Sequence, residues 1–328
     1  METLAIIIIA VALAFDFLNG FHDAANAIAT VVVTRTLKPF QAVLMAGAAN
    51  FIGYFIFGVA IATMVGKGII DSTLVTLPII LAALIGAIIW NIITWLLGLP
   101  TSSSHALIGG LVGSGFAAAG MNIVILSGVL KVFLFIFIAP FIGMIGAMLF
   151  TLLVTWVCHL MDRKRTNKAF KYLQLLSSAV YSVGHGTNDA QKTMGIIALV
   201  LFTTGAISAF RVDNWVIFSC HAAIALGTIF GGWRIVKTMG TSITKIRPTE
   251  GFCAESSSAL VLIGTAHLGV PVSTTHVIAG SIMGVGSVEN AKAVRWVTAR
   301  KIVWAWIITI PVAAIFAAGS YLVVSMFL

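Results

Sequence analysis

Two aspartates stand in a pair of related motifs, and their carboxylates could take part in binding or proton transfer. Residues 20–26 read GFHDAAN and contain Asp23, whereas residues 186–192 read GTNDAQK and contain Asp189. Both motifs interrupt long apolar stretches, and a carboxylate inside a membrane segment costs at least ~2.5–3.5 kcal/mol. Such residues persist when they are paired, solvated or functional. The motifs therefore predict either a polar pair between helices or a central site.

The residues around each aspartate favour a site for a cation or a proton. Four side chains offer oxygen ligands: Asp23, Asn26, Asn188 and Asp189. The flanking Gly and Asn residues are expected to break each helix and to free backbone carbonyls. Carbonyls at a broken helix are typical ligands of Na⁺ in transporters, so we expect the ion site to lie at these two breaks.

A second pair of motifs is rich in hydroxyl groups. Residues 100–109 read PTSSSHALIG, and residues 271–280 read PVSTTHVIAG. A proline followed by Ser or Thr is typical of a helix N-terminus, where free N–H groups carry partial positive charge. With the hydroxyl donors added, each motif becomes an anion cradle, and two cradles could enclose one tetrahedral oxyanion. The hydroxyl residues are Thr101, Ser102, Ser103, Ser104, Ser273, Thr274 and Thr275.

The alternative for these hydroxyls is ordinary N-capping of two membrane helices. Two copies beside two aspartate motifs favour the anion site over capping alone. Carboxylates repel a neighbouring anion, so either bound cations neutralise them or the anion donates protons to them. Phosphate near neutral pH carries hydroxyl groups and sulfate does not, so carboxylate acceptors favour phosphate.

Histidines and one glutamate extend this set of candidate residues. His105 and His276 either shuttle protons or hold the cradle by hydrogen bonds to the backbone, and the same alternatives apply to His22 and His185. Glu255 stands near the start of an apolar segment, before three serines. An ionisable residue in a membrane segment is a functional candidate. We therefore assign Glu255 to cation or proton coupling, with an interfacial structural role as the alternative.

The composition of the chain indicates the elements that must position these residues. Only 9% of the 328 residues are charged, whereas a soluble domain has about 25%. Apolar runs long enough to cross ~30 Å of hydrocarbon predict an all-α polytopic membrane protein. The ten predicted elements are 4–34, 40–64, 77–98, 100–118, 121–159, 172–208, 213–233, 250–267, 270–286 and 302–325. The short elements 100–118 and 270–286 are expected to be half-helices or re-entrant hairpins.

Basic residues in the loops predict the orientation. With the loop at 163–171 placed inside, alternation leaves fifteen basic residues inside and two outside, a strong positive-inside bias. The same layout predicts both termini outside and no removable signal peptide. Because the net charge of +9 comes from such loops, it does not indicate a nucleic-acid partner. The three cysteines show no disulfide or metal spacing.

The paired motifs indicate an internal repeat. The first motif recurs after 166 residues and the second after 171, about half the chain. Each half has five predicted crossings, and an odd number makes the second half enter from the opposite side. The sequence therefore predicts an inverted repeat, 1–162 and 172–328, joined by the connector 163–171, with the site at the repeat interface.

These motifs resemble the inorganic phosphate transporter (PiT) family over nearly the whole chain. The resemblance rests on residues 20–30, 100–110, 186–195 and 271–280 and on the surroundings of Glu255. It implies symport of phosphate with H⁺ or Na⁺, no cofactor, a plasma (inner) membrane location and a homodimer. By this resemblance the two aspartates, Asn26 and Asn188 line the cation and phosphate site, and the hydroxyl residues bind phosphate oxygens.

The sequence is similar to the compact bacterial or archaeal branch, with two departures from the Asn-Asp-x-x-Asn pattern of sodium-coupled members. His22 stands where the second copy has Asn188, and Lys192 stands where the first copy has Asn26. An ammonium at Lys192 could replace one coupling cation. Bacterial relatives of this type are often described as proton-coupled carriers of neutral metal–phosphate. We therefore favour proton coupling, with sodium-coupled symport as the alternative.

Three other functions fit the residues less well. A sulfate permease of the same superfamily remains an alternative. An intramembrane hydrolase would need Ser104 and His105 as nucleophile and base, but adjacent residues on a helix point about 100° apart. An anion channel would favour rings of Arg or Lys over carboxylates. The expectation is a transporter and not an enzyme.

Overall fold

The computed structural model describes residues 2–55 and 58–328, and their regular secondary structure is helical apart from one isolated bridge between Ile70 and Val124. The α-helices of the first half are α1 (Glu2–Val33), α2 (Pro39–Ile52), α3 (Ala60–Lys67), α4 (Leu77–Leu96), α5 (Ser103–Ala119) and α6 (Leu126–Cys158). Those of the second half are α7 (Arg163–Thr203), α8 (Asn214–Phe230), α9 (Trp233–Thr241), α10 (Pro248–His267), α11 (Thr274–Glu289) and α12 (Trp296–Val324).

One predicted element is split into two bent helices, and a second is followed by an additional helix at a sharp bend. The element 40–64 contains α2 and α3, which are bent by 86°, and its residues 56 and 57 lie outside the described residues. In the second half, α8 is followed by a short helix, α9, that the sequence did not predict, at a bend of 73°. The bend occurs at Gly231, whose φ of 68° ends α8 and is accessible to glycine without steric cost.

The basic stretch 163–171 is helical, so its assignment as a loop is wrong. Asp162 caps α7 by accepting a hydrogen bond from the backbone N–H of Arg165 at 3.3 Å. An aspartate at an N-cap also interacts favourably with the positive end of the helix dipole. The basic residues are therefore the first turns of a 41-residue helix that continues into the interior.

Five helices among the described residues are long and apolar enough to cross a membrane by themselves: α1, α4, α5 with its short 3₁₀ extension, α6 and α12. Counting each bent pair as one span raises the number to seven. Length and composition therefore confirm several spans but not the predicted ten. The helices that fall short of this test include α7, α10 and α11, which carry much of the polar chemistry.

Glycine pairs allow two close helix contacts at corresponding positions of the motifs. At Gly109 and Gly113 of α5, an added Cβ would collide with backbone carbonyls of α12. Gly280 and Gly284 of α11 are packed in the same way against backbone carbonyls of α6. Small residues four apart let membrane helices approach closely. The two hydroxyl motifs are thus held at the start of tightly packed helices.

Helices α1 and α7 form the centre of the fold. Residues 22–31 of α1 and 184–200 of α7 are buried without interruption. By contrast, α6 and α12 expose large apolar side chains, with Leu149 at 62% and Ile315 at 70%. An apolar exterior around a polar interior is the arrangement expected in lipid. All the candidate site residues therefore lie inside the bundle.

Candidate functional site

Asp23 and Asp189 lie on uninterrupted helices, so the prediction that Gly and Asn break these helices is wrong. Both α1 and α7 remain helical through the aspartates. The glycines serve packing instead: a Cβ at Gly20 would collide with the backbone of Ile224, and one at Gly186 with the backbone of Asn50. Because carbonyls in an intact helix bond within the helix, α1 and α7 can contribute ion ligands here only through their side chains.

Asp189 is held by a buried ammonium and a hydroxyl. Its Oδ1 accepts from Lys192 Nζ at 2.5 Å, and its Oδ2 accepts from Thr274 Oγ1 at 3.0 Å. His185 Nε2 lies 3.2 Å from Asp189 Oδ2, without hydrogen-bond geometry. Lys192 and Asp189 are each at most 1% exposed. A buried charge pair of this kind is costly to break, because either partner alone is an uncompensated charge.

Asp23 has a different set of partners. Its Oδ1 accepts from His22 Nδ1 at 2.7 Å, and its Oδ2 accepts from Ser103 Oγ at 3.2 Å. Ser103 Oγ also donates to Asn19 Oδ1 at 2.5 Å. The other ring nitrogen of His22 lies 3.2 Å from Thr94 Oγ1. His22, the residue that departs from the Asn-Asp-x-x-Asn pattern, thus contacts the Asp23 carboxylate directly.

Both hydroxyl motifs begin helices, as predicted. The residue just before each helix, Ser102 or Ser273, is the N-cap. Ser102 accepts from the backbone N–H of His105 at 3.1 Å, and Ser273 from that of His276 at 3.2 Å. The capping alternative is therefore correct for these two residues. Thr101 Oγ1 is buried without a partner among the described residues.

The remaining hydroxyls link the motifs in a matched pattern. Ser103 and Thr274 occupy equivalent positions, and each donates to the aspartate of its own half. The next residues, Ser104 and Thr275, accept from the opposite half: Lys192 Nζ donates to Ser104 Oγ, and Asn26 Nδ2 donates to Thr275 Oγ1 at 2.8 Å. Lys192 Nζ also donates to the Val272 carbonyl at 2.8 Å. The N-termini of α5 and α11 therefore meet at the aspartates.

The two asparagines differ in how much they contribute to this cluster. Asn26 joins it through Thr275, and its Oδ1 has no partner among the described residues. Asn188 instead donates from Nδ2 to the backbone carbonyls of Gly184 at 3.0 Å and Leu262 at 3.1 Å. Its Oδ1 is buried and also unpartnered. Each asparagine thus retains one oxygen that could accept from a proton carrier or bind a cation.

The predicted histidine pair forms a ring contact beside the cluster. The ring centroids of His105 and His276 are 4.8 Å apart in an edge-to-face arrangement. His276 also stacks on Trp306 at 4.1 Å. Neither ring nitrogen of His276, nor Nδ1 of His105, has hydrogen-bond geometry to a described partner. Ring packing therefore contributes to holding this pair in place.

Glu255 forms a separate buried polar cluster. Its Oε1 accepts from Thr30 Oγ1 at 2.5 Å and from Gln174 Nε2 at 3.3 Å. Its Oε2 accepts from Ser177 Oγ at 2.5 Å. Among the described residues, no basic side chain makes an ion pair with Glu255. Sequence analysis missed these three donors, although Thr30 is the last residue of the stretch 20–30 on which the family resemblance partly rests.

The polar side chains around Asp23 and Asp189 are called the central cluster below. Three of them could hold a metal ion. Asp23, His185 and Asp189 each offer one ligand atom, and these atoms lie within 4.8 Å of one another. His185 Nδ1 lies 3.2 Å from Asn50 Oδ1, so its Nε2 is left free for a ligand when Nδ1 carries the proton. The same two alternatives applied to His22, His105, His185 and His276, so His185 was not singled out from the sequence. Its helical spacing, one turn before Asp189, was the available signal.

The chain matches a known protein family over most of its length. Residues 19–317 match the phosphate transporter family. A probable low-affinity inorganic phosphate transporter of Rhizobium meliloti (strain 1021) is 53% identical over 315 residues, covering 96% of this chain and 94% of the relative. A protein with the same description from Bacillus subtilis (strain 168) is 43% identical over 328 residues, covering 98% of each chain.

The fold agrees with this match. A solved structure, described as the sodium-dependent phosphate transporter, is similar with a TM-score of 0.89 at 25% identity. The similarity covers 99% of this chain and 100% of that chain. The aspartate and hydroxyl motifs that suggested the family lie inside the matched region. This chain belongs to the phosphate transporter family.

Proposed function

We propose that this protein is a symporter that carries inorganic phosphate with protons through the central cluster between α1, α5, α7 and α11. The buried ammonium of Lys192, paired with Asp189, carries the proposal. It stands where the first motif has Asn26. A resident positive charge takes the place that a bound coupling cation would otherwise occupy. The relatives are named as transporters, which supports transport over the hydrolase alternative.

Phosphate oxygens are assigned to the hydroxyls that converge on the aspartates: Ser103, Ser104, Thr274 and Thr275. The caps at Ser102 and Ser273 keep the helix N-termini of α5 and α11 ordered, and N–H groups at such ends favour anions. The free hydroxyl of Thr101 is a further candidate donor. A phosphate hydroxyl can donate to either aspartate, whereas sulfate has none to donate. This chemistry favours phosphate over the sulfate alternative.

Proton coupling is favoured because the cluster offers fixed charge and titratable groups in place of sodium ligands. Helices α1 and α7 are intact at the aspartates and offer no free carbonyls there, and the Val272 carbonyl before α11 is already occupied by the Lys192 ammonium. A sodium site of the broken-helix type is therefore less well supplied with backbone ligands. Asp23, Asp189 and Glu255 are the candidate proton carriers, with Asn26, Asn188 and Lys192 as the polar groups that set their charge. Sodium coupling, the property named for the solved structure, remains the alternative.

We also propose the inverted repeat as the basis of alternating access. If each bent pair counts as one element, five elements precede residue 163 and five follow it. The contacts of Ser103 are equivalent to those of Thr274, and the contacts of Ser104 are equivalent to those of Thr275. This equivalence supports a two-fold relation between 1–162 and 172–328. Rocking of such halves about a central site is a known transport mechanism. The homodimer, the inner-membrane location and the external termini remain proposals from the same resemblance.

Uptake by reconstituted protein tests the proposal. Liposomes carrying the purified protein would receive radiolabelled phosphate under a proton gradient alone, and then under a sodium gradient alone. We expect uptake with protons, no competition by sulfate, and loss of uptake in Asp23→Asn, Asp189→Asn and Glu255→Gln. Uptake driven only by sodium would overturn the choice of ion. Movement of sulfate without phosphate would overturn the substrate.

A second candidate substrate is a neutral complex of phosphate with a divalent metal. The ligand triad Asp23, His185 and Asp189 supports it, because imidazole nitrogen suits transition metals better than alkali ions. We expect phosphate uptake to rise on addition of Mn²⁺ or Zn²⁺ and ⁶⁵Zn to enter with phosphate. His185→Ala should remove the metal stimulation and leave metal-free uptake. Equal stimulation in this variant would exclude the triad.

A further inference from the structure

Asp16 is a third buried aspartate, and the site described above does not use it. It lies near the middle of α1, two helical turns before Asp23, and its side chain is fully buried at 0% exposure. Neither carboxyl oxygen has a partner with full hydrogen-bond geometry among the residues that the structure describes, and the donors beside it are the Thr193 hydroxyl and the Cys220 thiol. The other buried carboxylates, Asp23, Asp189 and Glu255, all accept at least two hydrogen bonds or ion pairs.

The surroundings of Asp16 suit a neutral acid. The Thr193 hydroxyl and the Cys220 thiol border it, and Thr193 Oγ1 is also unpartnered. The charged and titratable groups that act on it are Asp189 and Lys192 of α7 and Cys220 of α8. The charges of Asp189 and Lys192 form one ion pair, so their effects on Asp16 oppose each other. A buried carboxylate that has no counter-ion of its own, and only a neutral hydroxyl and a thiol as possible donors, is strongly disfavoured, so this position suits the protonated acid.

We propose that Asp16 is a proton-binding site of the transport cycle, which holds a proton in this conformation and releases it to water when the cluster opens to the other side. The proposal rests on proton-coupled phosphate transport and names the residue that carries one proton. The O–H bond of the carboxyl breaks on release, its electron pair stays on Asp16, and water receives the proton.

Electrostatics link this proton to the substrate. An anion bound at Ser104 and Lys192 adds negative charge beside Asp189, on the helix that faces Asp16. Negative charge nearby makes ionisation of a second carboxyl less favourable. Phosphate therefore strengthens proton binding at Asp16, and by reciprocity the proton strengthens phosphate binding by the same factor. Symport requires that the proton and phosphate each strengthen the binding of the other.

Asp16→Asn tests the proposal, because the amide has the shape of the neutral acid but cannot ionise. In proteoliposomes, each coupled proton multiplies the phosphate gradient at equilibrium by about ten for each unit of pH difference. We expect Asp16→Asn to lose one such factor while phosphate–phosphate exchange without a gradient continues. Asp16→Glu should retain the wild-type gradient. Ser182→Ala, at the equivalent position of the second half, is the matched control and should leave it unchanged.

The outcomes separate this proposal from the proposed function. Wild-type protein that responds to sodium and not to protons overturns both. Proton-driven wild-type uptake with an unchanged gradient in Asp16→Asn overturns only the role of Asp16. If Asp16→Asn does not fold, infrared difference spectra of wild type and Asp16→Glu decide the point. A neutral-carboxyl band that shifts in Asp16→Glu supports the proposal, and a spectrum without a shift contradicts it.

Discussion

The two aspartate clusters share a geometry and differ in charge. Asp23 and Asp189 each accept from the hydroxyl that directly follows the N-cap residue of a helix-initiating motif, and each is followed three residues later by a side chain that donates to the opposite motif. In the first cluster that side chain is the neutral amide of Asn26, and in the second it is the ammonium of Lys192. The duplicated scaffold therefore fixes positions, and a single residue pair decides which half carries the resident cation.

The largest expected effect concerns the aspartates themselves. Asp189→Asn leaves the Lys192 ammonium buried without its counter-ion, and breaking a buried pair costs about 3–5 kcal/mol. Asp23→Asn removes a carboxylate that has only histidine and hydroxyl partners, so the loss should be about 1–3 kcal/mol. Thermal unfolding of the two purified variants in detergent measures the difference. Equal losses of stability would contradict the asymmetry.

The next prediction exchanges the two residues that differ. Lys192→Asn should make uptake respond to sodium, because a bound cation is then needed to compensate Asp189. The double variant Asn26→Lys with Lys192→Asn moves the ammonium to the first half and should restore proton-driven uptake. Radiolabelled phosphate uptake under separate ion gradients measures both. Unchanged ion dependence in Lys192→Asn would show that the ammonium does not replace a coupling cation.

A smaller difference is expected between the two cross-half hydroxyls. Ser104 accepts from an ammonium, whereas Thr275 accepts from a neutral amide. A hydrogen bond to a charged group contributes about 1.5–3 kcal/mol, and one between neutral groups contributes about 0.5–1.5 kcal/mol. Ser104→Ala should therefore raise the KM for phosphate more than Thr275→Val. Thr275→Ser, which keeps the hydroxyl, serves as the control. A larger effect of Thr275→Val would place the main substrate contact on α11.

The smallest effects are expected where the two halves are alike. Ser102→Ala and Ser273→Ala each remove an N-capping hydrogen bond, and the two bonds are nearly equal in length at 3.1 Å and 3.2 Å. Each should cost about 1 kcal/mol of stability. The two variants should therefore unfold at similar temperatures, in contrast to the two aspartate variants. A clear difference between them would extend the asymmetry to the capping residues.

Much of the site was predictable because its residue types carry their own physical cost. An aspartate in an apolar stretch and a Ser/Thr run after a proline are unusual in any membrane helix, and their recurrence at 166 and 171 residues pointed to one shared site. Helix starts at Ser103 and Thr274 followed from local chemistry alone. The expected helix breaks did not occur, because Gly20 and Gly186 are sites of close packing against neighbouring backbones.

The sequence by itself determined the membrane class and the recurrence of the two motifs, and it identified the aspartates and hydroxyls as candidate residues, because polar groups in apolar stretches are recognisable from the sequence alone. Only the tertiary structure decided their partners. Glu255 meets Thr30 and Ser177 from 225 and 78 residues away, and Lys192 reaches a hydroxyl 88 residues away. Asp16 also stands in an apolar stretch, but it lies outside the repeated motifs, and the sequence analysis did not single it out. Its complete burial without a counter-ion of its own is a property of the neighbouring helices, and no local pattern along the chain can encode it.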